Sequence, residues 1–252
     1  MRQGVKGVVT GKSVECGGSL GRESATGAGV LYSLRHWCGE NNAKLDELRI
    51  GVQGFGNVGS HFCRLAAENG SKIVAIADHT ATIVCERGID IPALLEYAAE
   101  HRALKGFPGA TEIETEALFD QQMDIFVPAA LENQVTSERA RRLTCRLVLE
   151  AANGPTTPNS ETVLAERQIE VCPDILANAG GVIVSYFEWL QNKSSEFWKA
   201  DEVDDKLRDI LWSAHDRVVE KREELGCTFR DAAYAVALSR ICAVYDRRGL
   251  FP

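Results

Sequence analysis

The sequence predicts a doubly wound α/β fold on a mostly parallel sheet, followed by an all-helical C-terminal segment. Three observations lead to it. Short apolar runs rich in Val and Ile alternate with helically spaced apolar positions through the middle of the chain. A glycine-rich turn joins the first of these runs to the helix that follows it. From about residue 181 onward no strand pattern returns.

In chain order, residues 22–39 read as one helix, with Val30, Leu31, Leu34 and Trp37 on a stripe. Gly27 and Gly29 lie inside it, where each costs ~1 kcal/mol relative to Ala, so something must approach that backbone closely. Residues 48–53, 72–77, 123–127, 146–149 and 169–172 read as strands. Their near-continuous apolar character demands burial on both faces, as in a parallel sheet covered by helices. Val58, Phe62, Leu65 and Ala66 have helical spacing, as do Leu94, Leu95 and Ala98. Asn69-Gly70 stops the first of these helices. Further on, Val203, Leu207, Ile210, Ala214 and Val218 mark one amphipathic helix, and Ala233, Val236, Ala237, Ile241 and Val244 another. Residues 1–200 are therefore expected to form the α/β domain. Residues 201–252 are expected to be helices packed on it or bridging to another body. Phe187, Trp189, Trp198 and Trp212 read mainly as local core.

Composition narrows the function. The 252 residues are 45% hydrophobic and 25% charged, with a net charge of -8. That field repels phosphate backbones and anionic lipid, so neither nucleic acid nor a membrane is an expected partner. No run of apolar residues is long enough for a membrane span, and Met1-Arg2-Gln3-Gly4-Val5 opens no secretory signal. Cys16, Cys38, Cys63, Cys85, Cys145, Cys172, Cys227 and Cys242 are widely spaced, without a Cys-x-x-Cys pair. They fit reduced thiols in a cytoplasmic protein, and the histidines fall at no metal-ligand spacing.

The sharpest local signal is Gly54-Phe55-Gly56-Asn57-Val58-Gly59, which follows a strand and opens a helix. Gly54 permits the tight turn, Gly56 lets a pyrophosphate approach, and Gly59 lets helix and strand pack closely. The helix N-terminus offers free N–H groups and partial positive charge to the phosphates. The next strand ends at Asp78, whose carboxylate can accept ribose hydroxyls. Its charge opposes a 2′-phosphate, and no Arg or Lys follows in His79-Thr80-Ala81-Thr82, so NAD is expected, with NADP possible. The fold is thus Rossmann-like. Two rival motifs fail. Gly17-Gly18-Ser19-Leu20-Gly21 has the pattern of a nucleophile elbow but lacks the apolar strand before it. Gly11-Lys12-Ser13 ends like a triphosphate loop but has too few residues after Gly7. Three more polar loops fall where strands end: 128–134, 150–155 and 178–182. Each alone is ordinary turn chemistry, but together with the glycine turn they outline a crevice.

These residues resemble the cofactor-binding domain of the glutamate dehydrogenase family, whose members act on glutamate, leucine, phenylalanine and valine. The likeness starts at Thr10-Gly11-Lys12 and at Gly17 through Gly27, and passes through Gly54–Gly59, Pro128–Gln134 and Ala152 to Pro158. It continues through Asn178–Glu188 to the closing Arg248-Gly249-Leu250-Phe251-Pro252. The resemblance implies that Arg22 and Thr26 contact the nicotinamide end, which would set a helix start rich in small residues near a ligand. It implies that Gln53, Phe55, Asn57 and Val58 line the pyrophosphate turn, and that Asp78 holds the adenosine ribose. Ala130, Gln134, Asn153 and Asn178 become further cofactor contacts. Ser185 would hydrogen-bond the substrate's side-chain carboxylate, with Val182 against its carbon chain, which favours glutamate.

The family's chemistry also requires a lysine that activates water and an acid that shuttles protons, both in a separate amino-terminal domain. Neither motif is found in this chain, which begins about where that domain would hand over. Acid–base groups must stand within ~3 Å of the proton they move. The chain is therefore expected to bind dinucleotide without turning over alone, as a monomer or weak dimer. The alternatives are a standalone NAD-binding or regulatory subunit, or residual catalysis by the lone domain.

Overall fold

The computed structural model describes residues 6–249, so the opening pentapeptide and Leu250-Phe251-Pro252 of the closing motif lie outside the described residues. One mixed sheet contains β1 (Arg49–Gln53), β2 (Lys72–Ala77), β3 (Thr82–Val84), β4 (Thr111–Ile113), β5 (Ile125–Pro128), β6 (Leu147–Leu149) and β7 (Glu170–Cys172). Their order is β4-β3-β2-β1-β5-β6-β7. The five strands from β2 to β7 by way of β1 are parallel. All five correspond to runs read from the sequence, each within two residues of the expected ends. The sequence reading missed β3 and β4, which extend the sheet antiparallel from β2. Each has only three residues, too few to show a period, and β4 is mostly exposed.

The helices are α1 (Ala25–Glu40), α2 (Asn57–Glu68), α3 (Ile91–His101), α4 (Ser137–Arg142), α5 (Pro158–Glu166), α6 (Asp174–Ala177), α7 (Gly180–Ser194), α8 (Ala200–Leu225) and α9 (Phe229–Arg248). The expected helix over 22–39 starts only at Ala25, so Arg22 lies in the turn before α1. Pairs of side chains that alternate along the strands feed two cores. Ile50, Val52, Ile125 and Val127 meet α1, α2 and α3 on one face. Phe126 and Val148 meet Leu118, Phe119, Ala140 and Leu164 on the other. Removing a fully buried ring such as Phe126 would cost ~3–5 kcal/mol through lost burial and an unfilled cavity.

A third core joins the helical end to this body. Ala25, Ala28 and Tyr32 of α1 pack with Val184 and Phe187 of α7 and with Val203, Leu207, Leu211 and Val218 of α8. Phe187 is buried and its ring lies 5.5 Å from Trp198, which makes these two aromatics local core. His215 is 1% exposed and its Nε2 stands 2.9 Å from Ser33 Oγ. Burial, and then the charge of neighbouring His36, push its pKa down to about 3, so it is neutral in the folded protein. α9 departs from expectation: only Ala232 and Ala233 are buried, while Leu238, Ile241 and Val244 are exposed. The stripe read from the sequence is real, but beyond its first turns α9 leaves the body that would cover it. Among the described residues, no helix is long and apolar enough to cross a membrane.

α1 can sit between sheet and helical end because its glycines let backbones touch. A Cβ at Gly27 would come within 2.8 Å of His61 Cβ on α2. One at Gly29 would come within 2.9 Å of Gly180 Cα, and one at Gly180 within 2.1 Å of the Ala25 carbonyl oxygen. The close approach inferred from the sequence is thus made by α2 and α7. Gly180→Ala should therefore destabilise the chain by about 3 kcal/mol or more, because a backbone atom cannot yield as a side chain can. Gly39→Ala, near the end of α1 with nothing within 4 Å of its added Cβ, should be neutral or stabilising by up to ~1 kcal/mol. Urea unfolding of both variants would check this.

Candidate functional site

The five parallel strands end on one edge, and the chain leaves β1 for β2 on one side while β5 enters on the other. A crevice opens at such a switch point. The glycine turn lies there. Gly54 has φ +105°, and a Cβ on it would meet the Ala129 carbonyl oxygen at 2.6 Å. A Cβ on Gly59 would come within 1.9 Å of the Gly54 carbonyl oxygen. Gly56 is different: it is exposed, and no atom lies within 4 Å of the position its Cβ would take. It precedes α2 without any side-chain cap. The start of α2 therefore presents N–H groups and partial positive charge to an open space.

Residues around the turn are fixed by contacts along the edge. Phe55 and Val58 pack partly buried against the first core. Asn57 Nδ2 donates to the Glu23 carbonyl at 3.1 Å, tying the turn to the segment that carries Arg22. Gln53 Nε2 donates to Gln134 Oε1 at 3.2 Å. Gln134 is held in turn by Arg139, whose Nη1 lies 2.8 Å from its carbonyl and 3.3 Å from its Oε1. Ala130 is exposed beside them.

At the end of β2, Asp78 has a structural task. Its Oδ1 accepts from Thr80 N at 2.7 Å, Thr80 Oγ1 at 2.6 Å and Ala81 N at 2.9 Å, which builds the turn into β3. Its Oδ2 accepts a long bond from Leu104 N at 3.3 Å and lies 3.9 Å from His79 Nδ1, so this oxygen retains capacity to accept. Beyond β6 and β7, Asn178 Nδ2 donates to Asn153 Oδ1 at 2.7 Å, so two loops read separately from the sequence meet. α1 and α7 bring together the remaining candidates. Arg22 Nε donates to Ser185 Oγ at 2.8 Å. A Cβ on Gly181 would strike Thr26 Oγ1 at 2.5 Å, so Thr26 crosses closely over the start of α7. Val182 is 69% exposed one residue on.

The rival motifs acquire other roles. Ser19 follows a short 3-10 turn, is buried and accepts from Gln191 Nε2 at 2.9 Å. The Lys12 ammonium is tied to the buried carboxylate of Glu188 and to the Val9 carbonyl. Two charged groups at the edge gain roles that the sequence did not give them: Glu150, read only as part of a polar loop, and Arg230, not read at all. Glu150 ends β6 with 0% exposure, and Arg230 from α9 grips both its oxygens at 2.8 Å. Burial pushes the Glu150 pKa up and the Arg230 charge works against that shift. A charge closing an apolar strand was the visible signal for Glu150; its partner eighty positions later had none. Among the described residues no cluster of His, Cys, Asp and Glu is placed to hold a metal. A cavity of about 940 Å³ opens beside β7, away from the glycine turn, and is lined in part by His36, Trp37, Glu161, Arg222 and Arg230.

Fold and edge together define a Rossmann-type doubly wound domain. Residues 17–249 match the model of the Glutamate/Leucine/Phenylalanine/Valine dehydrogenase family, and the chain belongs to that family. It is 42% identical over 250 residues to an NAD-specific glutamate dehydrogenase of Clostridioides difficile, covering 97% of this chain and 59% of that protein. It is 41% identical over 248 residues to an NADP-specific glutamate dehydrogenase of Halobacterium salinarum, covering 98% and 60%. A hetero-hexameric glutamate dehydrogenase from Thermus thermophilus superposes with a TM-score of 0.92 at 31% identity, covering 98% of this chain and 58% of that one. The chain thus spans less than two thirds of the length of these relatives.

The glycine geometry separates folding from binding. Gly54→Ala should destabilise the chain by ~3 kcal/mol, since it adds both a forbidden φ and a backbone collision. Gly56→Ala should change stability by less than ~1 kcal/mol. Thermal unfolding of the two variants would check the difference.

Proposed function

We propose that this chain is the dinucleotide-holding part of an NAD(P)-dependent glutamate dehydrogenase, the oxidoreductase that converts L-glutamate to 2-oxoglutarate and ammonia. The observation that carries the reading is the empty approach over Gly56 at the uncapped start of α2, flanked by the Arg22–Ser185 pair. A nicotinamide cofactor held there would supply the hydride acceptor. The chain's own residues bind and orient. The α2 N-terminus takes the pyrophosphate, with Gln53, Gly54, Phe55, Asn57, Val58 and Gly59 shaping the turn. Asp78 receives the adenosine ribose through Oδ2. Ala130, Gln134, Asn153 and Asn178 line the far half, and Arg22 and Thr26 border the nicotinamide.

Ser185 accepts from Arg22 Nε, which leaves its own hydroxyl proton for the substrate's side-chain carboxylate, while Val182 faces the carbon chain. A hydroxyl set by a guanidinium suits an anion, which favours glutamate over leucine or valine. The carboxylate of Asp78 favours NAD over NADP, although relatives of both specificities exist. Proton transfers are assigned to groups supplied from outside these residues. We place the chain in the cytoplasm, where its eight free cysteines stay reduced, and take it to be a monomer or weak dimer by itself. The other reading, a standalone NAD-binding or regulatory subunit without intrinsic catalysis, shares the same crevice and differs in being a separate subunit rather than part of the enzyme's chain.

Calorimetric titration tests the proposal. NADH should bind, and more tightly than NADPH. Gly56→Val should fold like the parent and lose at least ~10-fold in NADH affinity, because its side chain occupies the pyrophosphate's approach. Unchanged affinity in the folded variant would overturn the assignment of the turn.

A further inference from the structure

Three loops of the edge are joined to the start of α9 through one side chain. Arg230, the second residue of α9, spends its guanidinium on three carboxylates from three places. Nη2 lies 2.8 Å from each oxygen of Glu150 at the end of β6. Nη1 donates to Asp174 Oδ1 at 3.1 Å, at the start of α6, and Nε pairs with Glu161 on α5. The relay continues beyond these pairs. Glu150 Oε2 also accepts from Asp174 N at 2.8 Å, and Asp174 Oδ2 accepts from Gly154 N at 2.8 Å. The Gly154 carbonyl accepts from Asn133 N at 2.8 Å, which brings in the loop after β5. Asn153, next to Gly154, is bonded to Asn178.

We propose that Arg230 is a positioning residue that, acting through Asp174 and Gly154, sets Asn153, Asn178 and the loop after β5 for the nicotinamide half of the dinucleotide. The inference rests on the dinucleotide reading given above. Its physical basis is the geometry of the guanidinium, a planar fork that engages several oxygens at fixed angles. Glu150 is buried, so its charge has no solvent to fall back on and holds the fork firmly in place. α9 is otherwise lightly packed, with only Ala232 and Ala233 buried. Arg230 therefore links the helical hairpin of α8 and α9 to the crevice. The linkage is one-sided. Among the described residues, Asp78 and the glycine turn, on the β2 side, receive no bond from this network, whereas the loops after β5, β6 and β7 are all tied to it.

That asymmetry supplies a readout that a purely structural role would not move. ADP covers only the β2 side and the glycine turn, whereas NADH extends across β5 and β6. In Arg230→Lys the charge remains but a single ammonium cannot span three carboxylates. The variant should lose about 10-fold in NADH affinity while ADP affinity stays within about twofold of the parent. Asp174→Asn cuts the relay at Gly154 and leaves the Arg230–Glu150 pair intact. It should show the same selective loss, and it serves if Arg230→Lys does not fold. Equal loss of both ligands, or no loss of NADH, in the folded variants would overturn the role of Arg230 alone. A parent chain that binds neither ligand would overturn the dinucleotide reading and this inference together.

Discussion

The contact on which the rest depends is the passage of α1 between α2 and α7 at backbone distance. Gly27, Gly29 and Gly180 remove the side chains that would hold these helices apart. Without that approach, the turn holding Arg22 could not reach Ser185, and Thr26 could not lie over the start of α7. The same helix carries Val30, Leu31 and Leu34 into the sheet's core and Ala25, Ala28 and Tyr32 into the helical one. Helix-weakening glycines are accepted there because dispersion and burial across two interfaces outweigh ~1 kcal/mol of propensity at each.

A second constraint operates at the sheet edge. Parallel strands bring the loops after β1, β5, β6 and β7 to one side, and the order β2-β1-β5 opens the crevice beside Gly54. The glycines of the turn then divide their tasks. Gly54 and Gly59 are required by neighbouring backbone, whereas a Cβ on Gly56 would meet nothing within 4 Å among the described residues. The first two are explained by folding; the third is not, and under the proposed reading it leaves room for the pyrophosphate.

What the sequence disclosed follows from the range of the forces involved. Strands buried on both faces show as apolar runs, so β1, β2, β5, β6 and β7 were legible. Strands β3 and β4 were not, because three-residue segments have no period and their pairing depends on Asp78 folding the chain back. Gly27 and Gly29 announced a close contact without naming what made it; the answer lies at His61 and Gly180, which no local pattern connects to them. At the site, single residues other than Arg230 were visible while their pairings were not. Arg22 with Ser185, Asn153 with Asn178 and Glu150 with Arg230 are separated by 163, 25 and 80 positions respectively. The apolar stripe of α9 was read correctly as a pattern, yet burial requires a surface opposite it, and among the described residues Ile241 and Val244 have none.

The central claim is that the glycine turn and the three loops beyond it form one ligand site. Amide hydrogen exchange with and without NADH tests it most directly. The account predicts that saturating NADH slows exchange together at the start of α2, at 129–134, at 152–155 and at the start of α7. Protection confined to the cavity beside β7, or to the glycine turn alone, would contradict it.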